Sequence, residues 1–189
     1  MNADIVFIDE SGFLMAPLVR RTWAPRGQTP ILLHRGRWHK KVSAIAALTI
    51  PPRRRRVGLY FSLLSDANFT ASRVVQFLRD LRAQLQKPLL IVWDRSQTHR
   101  AKVINRFFER NRKLHRDFLP PYAPDLNPVE MVWGYLKGNP LANFAPTSSK
   151  ALACATRYHA NRLRRRKDLL CSFLYATPLF SRPNRTLFM

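Results

Sequence analysis

The chain has 189 residues, with 33 Lys and Arg against 11 Asp and Glu for a formal net charge of +22; it is 46% hydrophobic and 11% aromatic. That length suits one domain with a full core and leaves little room for a second, and the apolar content excludes a disordered chain. So large a positive excess repels itself in the folded state and points to a polyanionic partner, nucleic acid ahead of an anionic membrane surface.

The start, "ADIVFIDESGF", carries an apolar run from Ile5 to Ile8 that ends on Asp9 and Glu10. It reads as a strand buried on both faces. The acids interrupt the run, so it is not a secretory signal. No stretch reaches the ~18 apolar residues of a membrane span, and a cytoplasmic location is expected. "RTWAPRGQTP" reads as a loop or extended arm. "VSAIAALTI" and "VGLYFSLL" predict an antiparallel strand pair with Arg53, Arg54, Arg55 and Arg56 at its tip. From about Asn68 to Gln86, Val74, Phe77, Leu78, Leu81 and Leu85 recur at helical spacing, with Arg73, Arg79 and Arg82 on other faces.

"PLLIVWD" is a second apolar run ending on an acid, Asp94. "AKVINRFFERN" reads as a helix, and "LHRDFLPPYAP" as a short strand entering a proline-stiffened loop. "DLNPVEMVWGYLKG" predicts a helix capped by Asn127, with Pro128 in its first turn, Gly138 closing it, and an apolar stripe of Val129, Val132, Trp133 and Leu136. One further helix, very basic at its end, is expected from roughly Thr147 to Leu170. This succession predicts an α/β domain with helices against a central sheet.

Cys154 and Cys171 form no C-x-x-C pair, and are read as buried or half-buried thiols. No H-E-x-x-H occurs. A bound metal would therefore be held by carboxylates, which selects a hard cation such as magnesium or manganese.

Among so few acids, position carries information. Asp9 and Asp94 each end an apolar strand, and sites in open α/β sheets form at strand carboxyl ends. Parallel neighbours would bring the two acids to one edge, where their repulsion favours a divalent cation. Glu130, in the first turn of its helix, could add a third carboxylate, with Gly134 on the same side leaving room beside it. Each residue also has a plainer reading. Asp9 could form a turn, or Glu10 could take its role from the opposite face. Asp94 could cap the next helix. Glu130 could complete a capping box, and Asp125 is read as a loop or pre-cap residue.

Together "FIDESGF", "LIVWDRSQTHR" and "LPPYAPDLNPVEMVWGYLK" resemble the DDE transposases of the mariner-like superfamily, in its bacterial insertion-sequence branch. The arm "RTWAPRGQTP" is similar to a loop of that branch. The resemblance spans about residues 4–138, and thirty-five residues separate Asp94 from Glu130. It implies a ribonuclease-H-like mixed sheet flanked by helices and a catalytic, metal-binding triad of Asp9, Asp94 and Glu130. It also implies two magnesium or manganese ions, cleavage at transposon ends and strand transfer into target DNA by a homodimer. His99 matches a histidine that often follows the second acid and is expected to brace it or to touch DNA. Trp23 and Gly27 in the arm, and Asn127, are expected in the same supporting or DNA-contacting roles.

Residues 1–146 would then form the catalytic domain, and 147–189 a basic helix and tail packed on it or extending from it. Relatives normally carry N-terminal helix-turn-helix modules, whereas this chain begins just before its first strand. An upstream-encoded partner or a fragment is the expectation. Arg53–Arg56 and Arg162, Arg164, Arg165, Arg166 and Lys167 are the densest basic runs, expected on the DNA backbone. Trp38, His39, Lys40 and Lys41 form a smaller aromatic and basic cluster. Two other readings stand beside the transposase core: a decayed insertion-sequence remnant with nonspecific DNA binding, and a cellular nuclease of the same fold, such as a junction resolvase.

Overall fold

The computed structural model describes residues 3–33, 40–52 and 56–180. Trp38, His39, Arg53, Arg54, Arg55 and the tail beyond residue 180 therefore lie outside the described residues. One five-stranded sheet is built from β1 (Asp4–Leu14), β2 (Lys41–Ile50), β3 (Gly58–Ser65), β4 (Leu89–Trp93) and β5 (Leu114–Phe118), in the order β3-β2-β1-β4-β5. β3, β2 and β1 are antiparallel, while β1, β4 and β5 run parallel. The helices are α1 (Ala71–Leu85), α2 (Lys102–Glu109), α3 (Val129–Gly138), α4 (Ser149–Arg165) and α5 (Lys167–Ala176).

Alternation along β1 divides the core. Val6 and Ile8 join Val74, Leu78 and Leu81 of α1 and Ile104 and Phe108 of α2 on one face. Phe7 and Phe13 join Val132, Trp133 and Leu136 of α3, Leu152 and Leu163 of α4, and Leu170 and Leu174 of α5 on the other. Both faces are covered, which is why the central strands read as near-continuous apolar runs. Among the described residues no helix is long and apolar enough to cross a membrane.

Three expectations need correction. The first strand does not stop at its acidic pair but runs on to Leu14, because β2 stays in register beside it from Ile50 to Lys41. Only its parallel pairing ends early, at Phe7 with Val92. The expected helix over 147–170 is two helices joined at Arg166, whose φ of −89° and ψ of 78° leave the helical region. The bend turns Leu170 and Leu174 back onto the sheet, where a straight continuation would have left them in water. Cys154 is exposed, off the buried Leu152, Ala153, Thr156, Ala160 and Leu163 stripe of α4, while Cys171 is half-buried.

Candidate active site

The parallel ends of β1 and β4 set the site. Asp94 is the first residue past β4, and Asp9 stands two residues beyond the last β1–β4 pair. Both therefore lie at the carboxyl edge of the parallel half of the sheet, where strand-end sites form. Glu130 arrives from the first turn of α3, and the three acids line one cleft of about 440 Å³. Its far wall is the Pro120–Pro124 loop, with Arg95 and Arg100 beside Asp94. Gly134 faces open space: a Cβ there would meet nothing within 4 Å.

Asn127 positions Glu130. It is buried, its amide nitrogen donates to the Ile8 carbonyl at 3.1 Å, and its side-chain oxygen accepts from Val129 N–H at 3.2 Å. The N-cap of α3 is Pro128, one residue past the expected Asn127, yet the Asn127 side chain still takes the first helical N–H and ties the helix to the residue before Asp9. The capping-box alternative for Glu130 does not hold, because the Asn127 N–H donates to the Pro124 carbonyl instead. Gly138 is the last helical residue rather than a left-handed terminator, and its carbonyl accepts from Arg20 Nη1 at 2.6 Å. Asp94 caps no helix either, since α2 begins only at Lys102. Asp125 sits in the short 3-10 turn Pro124–Leu126.

Each aspartate has one oxygen already engaged. Asp9 Oδ2 accepts from Trp133 Nε1 at 2.8 Å. Asp94 Oδ1 accepts from Ser96 N–H at 3.0 Å and from His99 Nδ1 at 2.6 Å. The His99 ring is fully buried and stacked on Trp93 at 4.3 Å, and its Nε2 reaches Glu10 Oε1 at 3.0 Å. Both ring nitrogens can donate at once only in the imidazolium form. Burial pulls the His99 pKa down, but the Glu10 hydrogen bond and the charges of Glu10 and Asp94 outweigh it and hold the value above normal. His99 thus braces Asp94 from a fully buried position. Glu10 does not replace Asp9. The pleat sends it to the opposite face, where it holds the histidine.

Burial first, then the charges of Glu130, Glu10 and Asp94, push the Asp9 carboxyl up to about 7, against the opposing pull of the Trp133 hydrogen bond. Lys137, two turns along α3 from Glu130, is half-buried, donates to Ser11 Oγ at 2.8 Å and lies over the Phe13 ring. Burial lowers its pKa, while Glu130 and Asp9 act to raise it. Sequence reasoning placed Trp133 in the apolar stripe and passed over Lys137. Their spacing from Glu130, three and seven residues, was the available signal. Phenylalanine at Trp133 would delete the hydrogen bond that eases ionisation of Asp9. In Trp133→Phe the Asp9 carboxyl should titrate above its parental midpoint by carboxyl-carbon NMR; an unchanged or lower midpoint would refute the coupling.

Trp23 and Gly27 do not line the cleft. The arm is held at its root, where Arg20 and Asn143 exchange hydrogen bonds of 2.8 and 2.9 Å and Asn143 N–H donates to the Leu18 carbonyl. Gly27, at φ 82°, makes the Pro25–Gln28 turn, and the Trp23 side chain is 99% exposed. Arg56, Arg162, Arg164, Arg165, Arg166 and Lys167 are all exposed and outside the cleft. A separate, largely apolar hollow of about 350 Å³ beside Phe13, Leu141 and Leu152 contains none of the three acids.

A mixed sheet in this strand order, with helices on both faces, is a ribonuclease-H-like fold, and it carries acids at its parallel edge. Residues 4–152 match the family model described as "DDE superfamily endonuclease", and the chain belongs to that family. A search of curated proteins found no match. Among solved structures the chain is similar to the Mos1 transposase paired-end complex with left transposon end, at TM-score 0.67 and 19% identity, over 93% of this chain and 52% of that one. It is also similar to the Mos1 mariner paired-end complex with Mn, at 0.66, 20%, 93% and 52%. For the catalytic domain of Mos1 mariner transposase the values are 0.60, 17%, 93% and 76%. The chain spans about half the length of the full Mos1 chains it matches.

Proposed function

We propose that this chain is the catalytic core of a cut-and-paste DNA transposase, with Asp9, Asp94 and Glu130 as its catalytic and metal-holding carboxylates. The observation that carries this reading is their convergence, from two strands and a helix, on one cleft. The donor set is all oxygen, which fits magnesium or manganese, and the repulsion felt by Asp9 is what a cation would relieve. Among the described residues no three His, Cys, Asp or Glu side chains stand close enough to clasp one ion together. The acids would therefore draw inward on loading. Divalent cations bound there, two in our reading, would supply Lewis-acid activation for attack on a phosphodiester.

The chain's own groups do the rest. Trp133 and His99 fix one oxygen of each aspartate and leave the other free. Asn127 fixes the height of Glu130 against the strand. Mos1 has been solved as paired-end complexes with Mn and with Mg and as a strand transfer complex. By that likeness we assign cleavage at transposon ends and strand transfer; from the family resemblance of the sequence we further assign a homodimer acting in the cytoplasm, with end recognition supplied by a separate helix-turn-helix part.

Among the described residues the only cation–carboxylate contacts within 4.0 Å are those of His99, so no described Lys or Arg forms a direct ion pair with a described carboxylate. Arg56 and the Arg162–Lys167 run are assigned to sequence-independent phosphate contact, with steep salt dependence. The test is divalent-metal-dependent cleavage of duplex DNA by the parent, abolished in Asp94→Asn with the melting curve retained. Full activity in the variant would overturn the site, and metal-independent DNA binding without any cleavage by the parent would favour the remnant.

A further inference from the structure

Tyr122 stands out within the cleft wall. Its side chain is fully exposed, and it is among the few non-glycine residues with positive φ, at 57°. A bulky residue in the left-handed region costs about 1 kcal/mol or more, and such strain persists only where the surroundings impose it. Here Pro121 and Pro124 bracket the position, and the loop runs directly into the 3-10 turn and into Asn127, whose side chain takes the first N–H of α3. The result is an aromatic ring held off the protein body, on a stiff support, at the rim of the cleft that holds Asp9, Asp94 and Glu130. Among the described residues none covers the ring, while Arg95 and Arg100 on the same cleft supply positive charge for a phosphate.

We infer that Tyr122 is a substrate-positioning residue: its ring stacks on the nucleobase next to the phosphodiester held at the three acids. This rests on the nuclease reading above and adds to it a contact with a base rather than with the backbone. Every base offers a π-face, so the contact is tolerant of sequence. Burying the exposed ring against a base is also favourable in its own right. The ring holds the strand in place and takes no part in proton transfer, so its loss should weaken substrate binding far more than turnover.

The experiment uses the full chain and a duplex with a short unpaired 3′ tail carrying 2-aminopurine. Calcium replaces magnesium for binding and magnesium is used for cleavage. In the parent and in Tyr122→Phe, binding should quench the 2-aminopurine fluorescence. In Tyr122→Ala the quench should disappear and KM should rise about tenfold or more, the range set by single base–aromatic stacks, with kcat within a few-fold and an unaltered melting temperature. The phenylalanine variant keeps the ring and so separates stacking from any role of the hydroxyl.

Equal quenching and KM in Tyr122→Ala and the parent would overturn the inference while leaving the nuclease reading intact. So would a phenylalanine variant as impaired as the alanine one. A parent that neither binds nor cleaves the duplex would instead bring down the nuclease reading, and this one with it.

Discussion

Asp9→Asn should abolish DNA cleavage, by about a thousandfold or more as for other members of a catalytic set, and yet make the metal-free protein more stable above pH 7. Both results come from one carboxylate. The folded chain holds the Asp9 proton up to about pH 7, whereas an unperturbed aspartate loses it near 3.8. Between those values the folded state carries a proton that the unfolded state has released, so stability falls as pH rises through the window and stays low above it. Asparagine removes that loss, with an expected gain of up to about 4 kcal/mol at pH 8 and well under about 1 kcal/mol at pH 4, at about 1.4 kcal/mol per pH unit between the two values. Thermal melts of parent and variant in chelator at the two pH values measure the difference. An equal offset at both would contradict the burial and charge repulsion assigned to Asp9. The same sign governs loading: a cation competes with the proton, so manganese affinity of the parent should fall as pH drops through about 7.

Asn127→Ala should be the most damaging change at a residue that is not itself catalytic. It strands the Ile8 carbonyl and the Val129 N–H in a buried setting. Unsatisfied groups of this kind cost about 1–3 kcal/mol each, and a loss of about 2–4 kcal/mol in all is expected. Cleavage should also fall by about a hundredfold at temperatures where the variant is still folded, because misplacement of a catalytic group by about 1 Å suffices for that. Denaturant melts and cleavage assays at matched folded fraction separate the two effects. Parental cleavage in a destabilised but folded variant would mean that the tie to β1 does not position Glu130.

Much of this was legible in the sequence because the relevant patterns are local. The apolar runs before Asp9 and Asp94 fix two central strands whose carboxyl ends meet. The Asn-Pro-Val-Glu start of α3 fixes where Glu130 leaves the chain. The motifs also carried the resemblance to DDE enzymes that the match over residues 4–152 bears out, though not the assignment to a bacterial branch. What escaped was non-local. Trp133 looked like one more core residue, since its N–H finds Asp9 only through a contact across 124 positions. Glu10 looked like a rival to Asp9 because nothing local shows that His99 comes to rest between it and Asp94, across 89 positions. The break at Arg166 was hidden because helix propensity runs unbroken through the basic segment, and only the need of Leu170 and Leu174 for the core bends it.

The hydrogen bond from Arg20 to the Gly138 carbonyl joins the root of the arm to one end of α3, and Glu130 rides near the other end, about two turns away. A helix of that length is a stiff rod. Whatever grips the arm outside the domain therefore tugs on the same rod that carries the third acid, so that docking at the periphery and alignment at the centre share a single mechanical linkage.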